Sequence, residues 1–270
     1  MRPPRFFILG ICLSLSLAGG VWAEPSGNFT GRGGGGAREI AAPLAAPRVG
    51  ERLVYDVFWM GIPVGIGTLE VKEKTTVDGR RVFHLEATAR TGAFLSKLYP
   101  VEDQVRSLVD AEKFYSIEFR KTLREGRYRA DERVRYDYAA RKGYYESFWN
   151  KSKKEIPLGP GGYVRDILGV FYWFRLQKAE VGRSIKTVVN SEEKNWDVEL
   201  RVLSRQTKEI KGRGAFDTIL VEPKTRLKGV LYRRGRALVY FTTDPRRLPV
   251  WITLKTPFGP VVGVLRAGSD

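Results

Sequence analysis

Gly161-Gly162-Tyr163-Val164-Arg165-Asp166-Ile167-Leu168-Gly169-Val170-Phe171-Tyr172-Trp173-Phe174-Arg175 is the stretch on which the reading of this chain turns. After Asp166 the residues at helical spacing are apolar on every side, and a helix of that kind has to be buried. It is too short to cross a bilayer, which takes about 20 apolar residues, so the rest of the chain must enclose it. Asp166 in its first turn and Arg175 in its last complement the helix dipole. Almost everything else alternates with the period of two of a β-strand. The expected fold is therefore mainly β: a large curved antiparallel sheet or open β-barrel of about a dozen strands around one buried helix.

The strands can be followed outward in both directions. Arg52 to Trp59 and Val64 to Glu73 form a hairpin across Gly61-Ile62-Pro63, with Gly65 and Gly67 marking a bulge or a close backbone approach. Arg81 to Arg90 places Phe83, Leu85, Ala87 and Ala89 on one face and His84 on the other. Val101 to Val109 puts Asp103 on the apolar face with Val101, Val105 and Val109, where a carboxylate needs a partner. In the next strand Tyr115, Ile117, Phe119 and Leu123 are expected inward. Tyr128 to Tyr138 alternates aromatic and apolar residues with Arg129, Asp131, Arg133, Arg135 and Asp137, either a solvated charged face or a basic ligand-binding stripe. Lys151 to Gly162 reads as a loop delivering the chain to the helix, and further strands follow to Arg266. Their turns are too short for parallel crossovers.

The first 23 residues have the charged start, apolar middle (Phe6 to Val21) and small-residue exit at Ala23 of a secretory signal peptide. Cleavage is expected after Ala23, an uncleaved anchor being the alternative. Ile11 stands before Cys12 where a lipoprotein site wants a small residue. Residues 24–47 contain Gly31-Arg32-Gly33-Gly34-Gly35-Gly36 and an Ala/Pro-rich tail, the composition of a flexible linker. Residues 48–270 are expected to form a single β-rich domain, exported to the periplasm or secreted. With Cys12 in the leader, the mature chain has no internal disulfide and must rely on its core.

Formal net charge is +17; without Arg2 and Arg5 of the leader it is 17 − 2 = +15. A surface of that sign attracts polyanions. For an exported chain these are anionic lipid, lipopolysaccharide phosphates and acidic polysaccharides rather than nucleic acid. With one histidine, His84, and no mature cysteine, neither a Cys-His pair nor a His-rich zinc site can be assembled. His84 flanks no Gly-x-Ser-x-Gly turn. No catalytic residue, metal or cofactor is expected, and an acid pair acting as a hydrolase ranks last. Thr242-Thr243-Asp244-Pro245-Arg246-Arg247-Leu248-Pro249-Val250 has the Asp-Pro of a turn, with Arg247 in reach of Asp244 or another acid. The candidate site is a buried polar network of Asp103, Asp166, Arg175, Asp244 and Arg247.

Gly50 to Trp59 with Gly61-Ile62-Pro63-Val64-Gly65, then Tyr99 to Asp103, Asp166 to Arg175, and Asp244 to Val250 followed by Gly259, together resemble domain-of-unknown-function family 3108. The resemblance spans roughly Gly50 to Arg266. It implies an exported bacterial protein and offers no reaction. Two functions remain in view: a noncatalytic envelope protein binding a lipid or other amphiphile in its curved sheet, and a basic protein binding acidic envelope glycans.

Overall fold

A computed structural model describes residues 44–269 apart from 160–161, 192, 228–229, 233–235 and 257. The expected signal peptide and residues 24–43 of the expected linker lie outside the described residues. The linker's last four residues lie inside: Ala45 N donates to Pro245 O at 2.9 Å, and Pro47 is buried.

The elements in order are β1 Arg52–Trp59, β2 Ile62–Val77, β3 Arg80–Thr91, α1 Ala93–Ser96, β4 Glu102–Asp110, β5 Ser116–Glu125, β6 Tyr128–Asp137, β7 Lys142–Ser147 and β8 Ser152–Pro157. Then come β9 Val164–Asp166, α2 Ile167–Arg175, β10 Ser184–Ser191, β11 Lys194–Ile210, β12 Gly214–Leu227, β13 Val230–Tyr232, β14 Arg236–Thr242, β15 Pro249–Thr256 and β16 Gly259–Ser269. The protein is mainly β. One path, β8-β7-β6-β5-β4-β3-β2-β1-β16-β15-β14-β12-β11-β10-β9, holds fifteen strands, and β13 pairs with β12 beside it.

The sheet is open: the path ends on β8 and β9, and no ladder joins them among the described residues. Its two halves nevertheless approach each other. Tyr136 OH in β6 donates to Asn190 Oδ1 in β10 at 3.0 Å, and Asn195 Nδ2 in β11 donates to Pro157 O in β8 at 2.8 Å. Helix α2 contacts β3 and β4 from one half and β9 and β10 from the other.

Several expectations are corrected here. The described strands number sixteen rather than about a dozen: the stretch read as a loop from Lys151 contains β8, the expected helix start contains β9, and β13 lies between two expected strands. β9 pairs with β10 in parallel, Val188 facing Val164. The nine-residue α2 supplies the crossover a parallel pair requires, so only this junction escapes the short-turn rule. A bulge at Val109 opposite Ser116 also shifts the phase of β5, which buries Ser116 in place of Ile117. An inserted residue moves every later side chain to the other face, which alternation alone does not reveal.

Gly65 holds the shape at the β1–β2–β3 corner. A Cβ at Gly65 would lie 2.1 Å from Arg90 O, so β2 and β3 approach more closely there than a side chain permits. The ladder between β1 and β2 slips at the same place, between Val57 and Phe58. At Gly67 a Cβ would meet only ordinary contacts at 3.7 Å.

The core is continuous from Leu53, Val71 and Leu85 through Val105, Val109 and Leu168 to Val202, Val221 and Val250. In α2, Ile167, Leu168, Gly169, Tyr172, Phe174 and Arg175 are buried. Val170, Phe171 and Trp173 are half-buried. On the charged face of β6, Asp131 pairs with Arg120 at 3.1 Å and Arg133 with Glu146 at 2.8 Å, while Arg135 and Asp137 are exposed.

Candidate functional site

The polar residues singled out from the sequence gather mainly at the two ends of α2. At the N-terminus Asp166 is completely buried. Its Oδ1 accepts from the backbone amides of Leu168 (2.9 Å) and Gly169 (2.8 Å), the geometry of an N-cap. Its Oδ2 accepts from Ser107 Oγ at 2.5 Å and from Ser116 Oγ, while Asp166 N donates to Ser116 Oγ at 2.6 Å. Burial pushes the Asp166 carboxyl above its ordinary pKa, against the pull of these four hydrogen bonds. One carboxylate thus ties α2 to β4 and β5.

At the C-terminus Arg175 is also buried. Its Nη1 and Nη2 donate to Glu51 Oε1 and Oε2 at 2.6 and 2.8 Å, and its Nε donates to Arg246 O at 2.9 Å. The Asp244 turn lies beside it. Asp244 Oδ1 accepts from Arg246 N at 2.8 Å, and Asp244 O accepts from Arg247 N at 3.1 Å. Arg247 has a left-handed backbone, φ 46°, that turns its side chain inward. There Nη1 donates to Gln177 O and the guanidinium stands 6.0 Å from the Phe174 ring, with its Nε lacking a hydrogen-bond partner among the described residues. Burial without a carboxylate lowers the Arg247 pKa.

The five predicted residues therefore fall into three groups. Arg175, Asp244 and Arg247 meet at one end of α2, Asp166 holds the other, and Asp103 stands apart in β4. The Asp103 side chain is buried, and its Oδ1 accepts from Arg124 N at 2.9 Å. Burial raises its pKa, opposed by that amide, by the neighbouring Glu125 side chain and by Lys121. The carboxylate partners of the network's arginines are thus not Asp166 or Asp244: Arg175 takes Glu51, and Arg247 takes a carbonyl.

Sequence reasoning did not find Glu51, Ser107, Ser116 or Glu125. Ser107 was readable, since it shares the face of Val101, Asp103 and Val105; the other three needed the tertiary pairing. A further cluster lies where β9 meets the β4–β5 turn. Arg165 lies 4.0 Å from the Trp173 ring, donates through Nη1 to Thr187 Oγ1 at 2.8 Å, and forms no ion pair among the described residues. Burial lowers its pKa to about 10. Beside it Lys113 stands 5.3 Å from the ring of Tyr163, which stacks on Tyr115 at 3.9 Å.

None of these groups assembles a catalytic constellation. The serines are fully buried and held by Asp166, and His84 lies on the far face of β3, 3.5 Å from Glu73. Among the described residues no three His, Cys, Asp or Glu side chains group as metal ligands. The fold and its helix ends define a large open antiparallel β-sheet protein with a crossover helix fixed by buried charges. The chain belongs to the family DUF3108, described as "Protein of unknown function (DUF3108)", which matches residues 54–266.

Among solved structures, the fold is similar to a "Beta-barrel-like Protein of Domain of Unknown Function DUF1849" from Brucella abortus, with TM-score 0.54 and 12% identity over 83% of this chain and 99% of that one. A "putative exported protein with YmcC-like fold" from Bacteroides fragilis matches at TM-score 0.37 and 9% identity, covering 85% of this chain and 100% of that one. No curated protein matches the chain.

Proposed function

We propose that the protein is a noncatalytic, exported envelope protein whose curved sheet wraps α2 and binds a lipid or another amphiphile against its apolar concave face. The observation that carries this reading is the placement of α2. Its polar anchors are Ser107 near the close of β4, Ser116 at the start of β5, Glu51 just ahead of β1, and the turn between β14 and β15. In an antiparallel sheet these positions belong to one end of the strands. The helix thus covers one end of an open, curled sheet and leaves the other for a ligand. The leader-like first 23 residues support export. The likeness to a β-barrel-like protein supports the curled shape and carries no function by itself.

The test is native mass spectrometry of gently purified protein, followed by melting curves with added phospholipids. Co-purifying lipid, or a rise in melting temperature with lipid, is the expected result. Protein that never carries lipid and is not stabilised by any added one overturns the reading.

A second reading, binding of acidic envelope glycans, is favoured by the Arg165–Trp173 and Lys113–Tyr163 cluster, where cations with no ion pair among the described residues lie over aromatic rings. Binding to an acidic polysaccharide should then weaken with salt and fall in Arg165→Gln. Salt-independent binding contradicts it.

A further inference from the structure

At the end of the sheet opposite α2, three consecutive connections expose large apolar side chains. Met60 and Ile62 occupy the β1–β2 turn, Phe94 and Leu98 the β3–β4 connection that contains α1, and Phe258 the β15–β16 turn. Phe94 is 82% exposed and Leu98 74%, values that an isolated globular surface gives no reason for in neighbouring residues. The four-residue α1 buries none of its side chains.

These connections are bonded to one another into one rim. Trp59 Nε1 donates to Phe258 O at 3.0 Å, and Met60 N donates to Pro260 O at 2.9 Å. Gly92 N donates to Val64 O at 3.0 Å, which ties the β3–β4 connection to the start of β2. Gly126 N in the adjacent β5–β6 turn donates to Pro100 O at 2.8 Å.

The charge around this rim has one dominant sign. Arg90, Lys97, Arg127 and Lys255 are exposed there, and Arg124 is exposed beside Glu102, its partner at 3.5 Å. Glu125 and Asp103 at the same end are buried. An apolar tip ringed by cations matches the interface of a bilayer bearing anionic head groups, where rings and aliphatic chains enter the acyl boundary and Lys and Arg stay among the phosphates.

We infer that this rim, built on Met60, Ile62, Phe94, Leu98 and Phe258 and flanked by Lys97, Arg127 and Lys255, docks the protein onto an anionic membrane surface. No segment spans the membrane in this mode; the contact is peripheral and reversible. The inference uses the outer rim and stands independently of amphiphile binding inside the sheet, which is read by bound lipid mass rather than by vesicle attachment.

The test is flotation of the purified protein with two kinds of vesicle, one of about three parts phosphatidylethanolamine to one of phosphatidylglycerol, the other of phosphatidylcholine alone. The wild type should float with the anionic vesicles and progressively release as salt rises from about 0.05 to 0.5 M. Phe94→Ser with Leu98→Ser should weaken attachment at least about tenfold, and Lys97→Glu with Arg127→Glu by a similar factor on anionic vesicles only. All four side chains are exposed, so melting temperatures should stay within a few degrees; if either double variant fails to fold, Phe94→Ser and Lys97→Glu singly carry the test. Wild type that floats with neither vesicle overturns the inference, as does attachment unchanged in the apolar variant. A wild-type dimer that becomes monomeric in the apolar variant on sedimentation also overturns it, assigning the rim to a second copy of this chain.

Discussion

Arg175 at the end of α2 and Glu51 at the threshold of β1 form a two-pronged ion pair, Nη1–Oε1 2.6 Å and Nη2–Oε2 2.8 Å, across 124 residues of sequence. Both groups are largely withdrawn from water. The pair locks the helix to the start of the sheet. Removing one partner leaves the other charge buried and unpaired, so Arg175→Ala should cost about 3–5 kcal/mol, a fall in melting temperature of roughly 10 °C for a chain of this size. Arg175→Lys should recover only part of this, because an ammonium cannot reproduce the planar fork. Thermal unfolding followed by circular dichroism decides it; an unchanged melting temperature in Arg175→Ala sinks the idea.

Asp166 joins the helix N-terminus to β4 and β5 through one carboxylate. Alanine there removes an N-cap, worth about 1 kcal/mol, and strands two buried hydroxyls, for a total of about 3 kcal/mol. Asparagine keeps the oxygen that caps Leu168 and Gly169 and presents an amide to the two serine hydroxyls, so Asp166→Asn should lose only about 1 kcal/mol. Equal losses in denaturant titrations of the two variants would show that the cap geometry is not what matters.

Asp103 gives the protein a pH dependence with a definite sign. An acid whose pKa is raised by burial holds its proton more tightly folded than unfolded. Its contribution to stability is therefore full below the ordinary carboxylate range and declines as pH rises through the interval up to the raised value. Asp103→Asn keeps the acceptor for Arg124 N and carries no charge to desolvate. It should melt at or above the wild-type temperature at neutral pH, with a flatter slope through weakly acid pH. A marked drop at neutral pH in this variant would falsify the view that Asp103 is strained by desolvation.

Gly65 is where β2 and β3 come too close for a side chain. Gly65→Ala places a methyl group 2.1 Å from Arg90 O, a backbone atom, and the strands must part. The expected loss is about 3 kcal/mol. Gly67→Ala, with neighbours at 3.7 Å, should change stability by no more than about 1 kcal/mol. Comparable losses in both variants would refute a steric origin.

Alternation in Arg81 to Arg90, Val101 to Val109 and Tyr128 to Tyr138, with the all-round apolar run after Asp166, was enough to establish a mainly β chain with a helix needing cover. It also placed Asp103 inward, set the Asp244 turn, and marked Gly65 as a point of close approach. These are consequences of period and of single-residue chemistry, which a sequence displays locally. Strand β8 was hidden because Lys153, Lys154 and Glu155 at the open edge are charged and exposed, giving no apolar alternation to read. The burial of Ser116 was hidden by a bulge, a property of two strands rather than one. Which acid meets which base was decided only by the curl of the sheet. It carries Glu51 to Arg175 and Ser116 to Asp166 over 124 and 50 residues, while leaving Arg247 a carbonyl and bringing Asp103 to another carboxyl. Sequence fixes the side a charge faces; the path of the chain through space selects its partner.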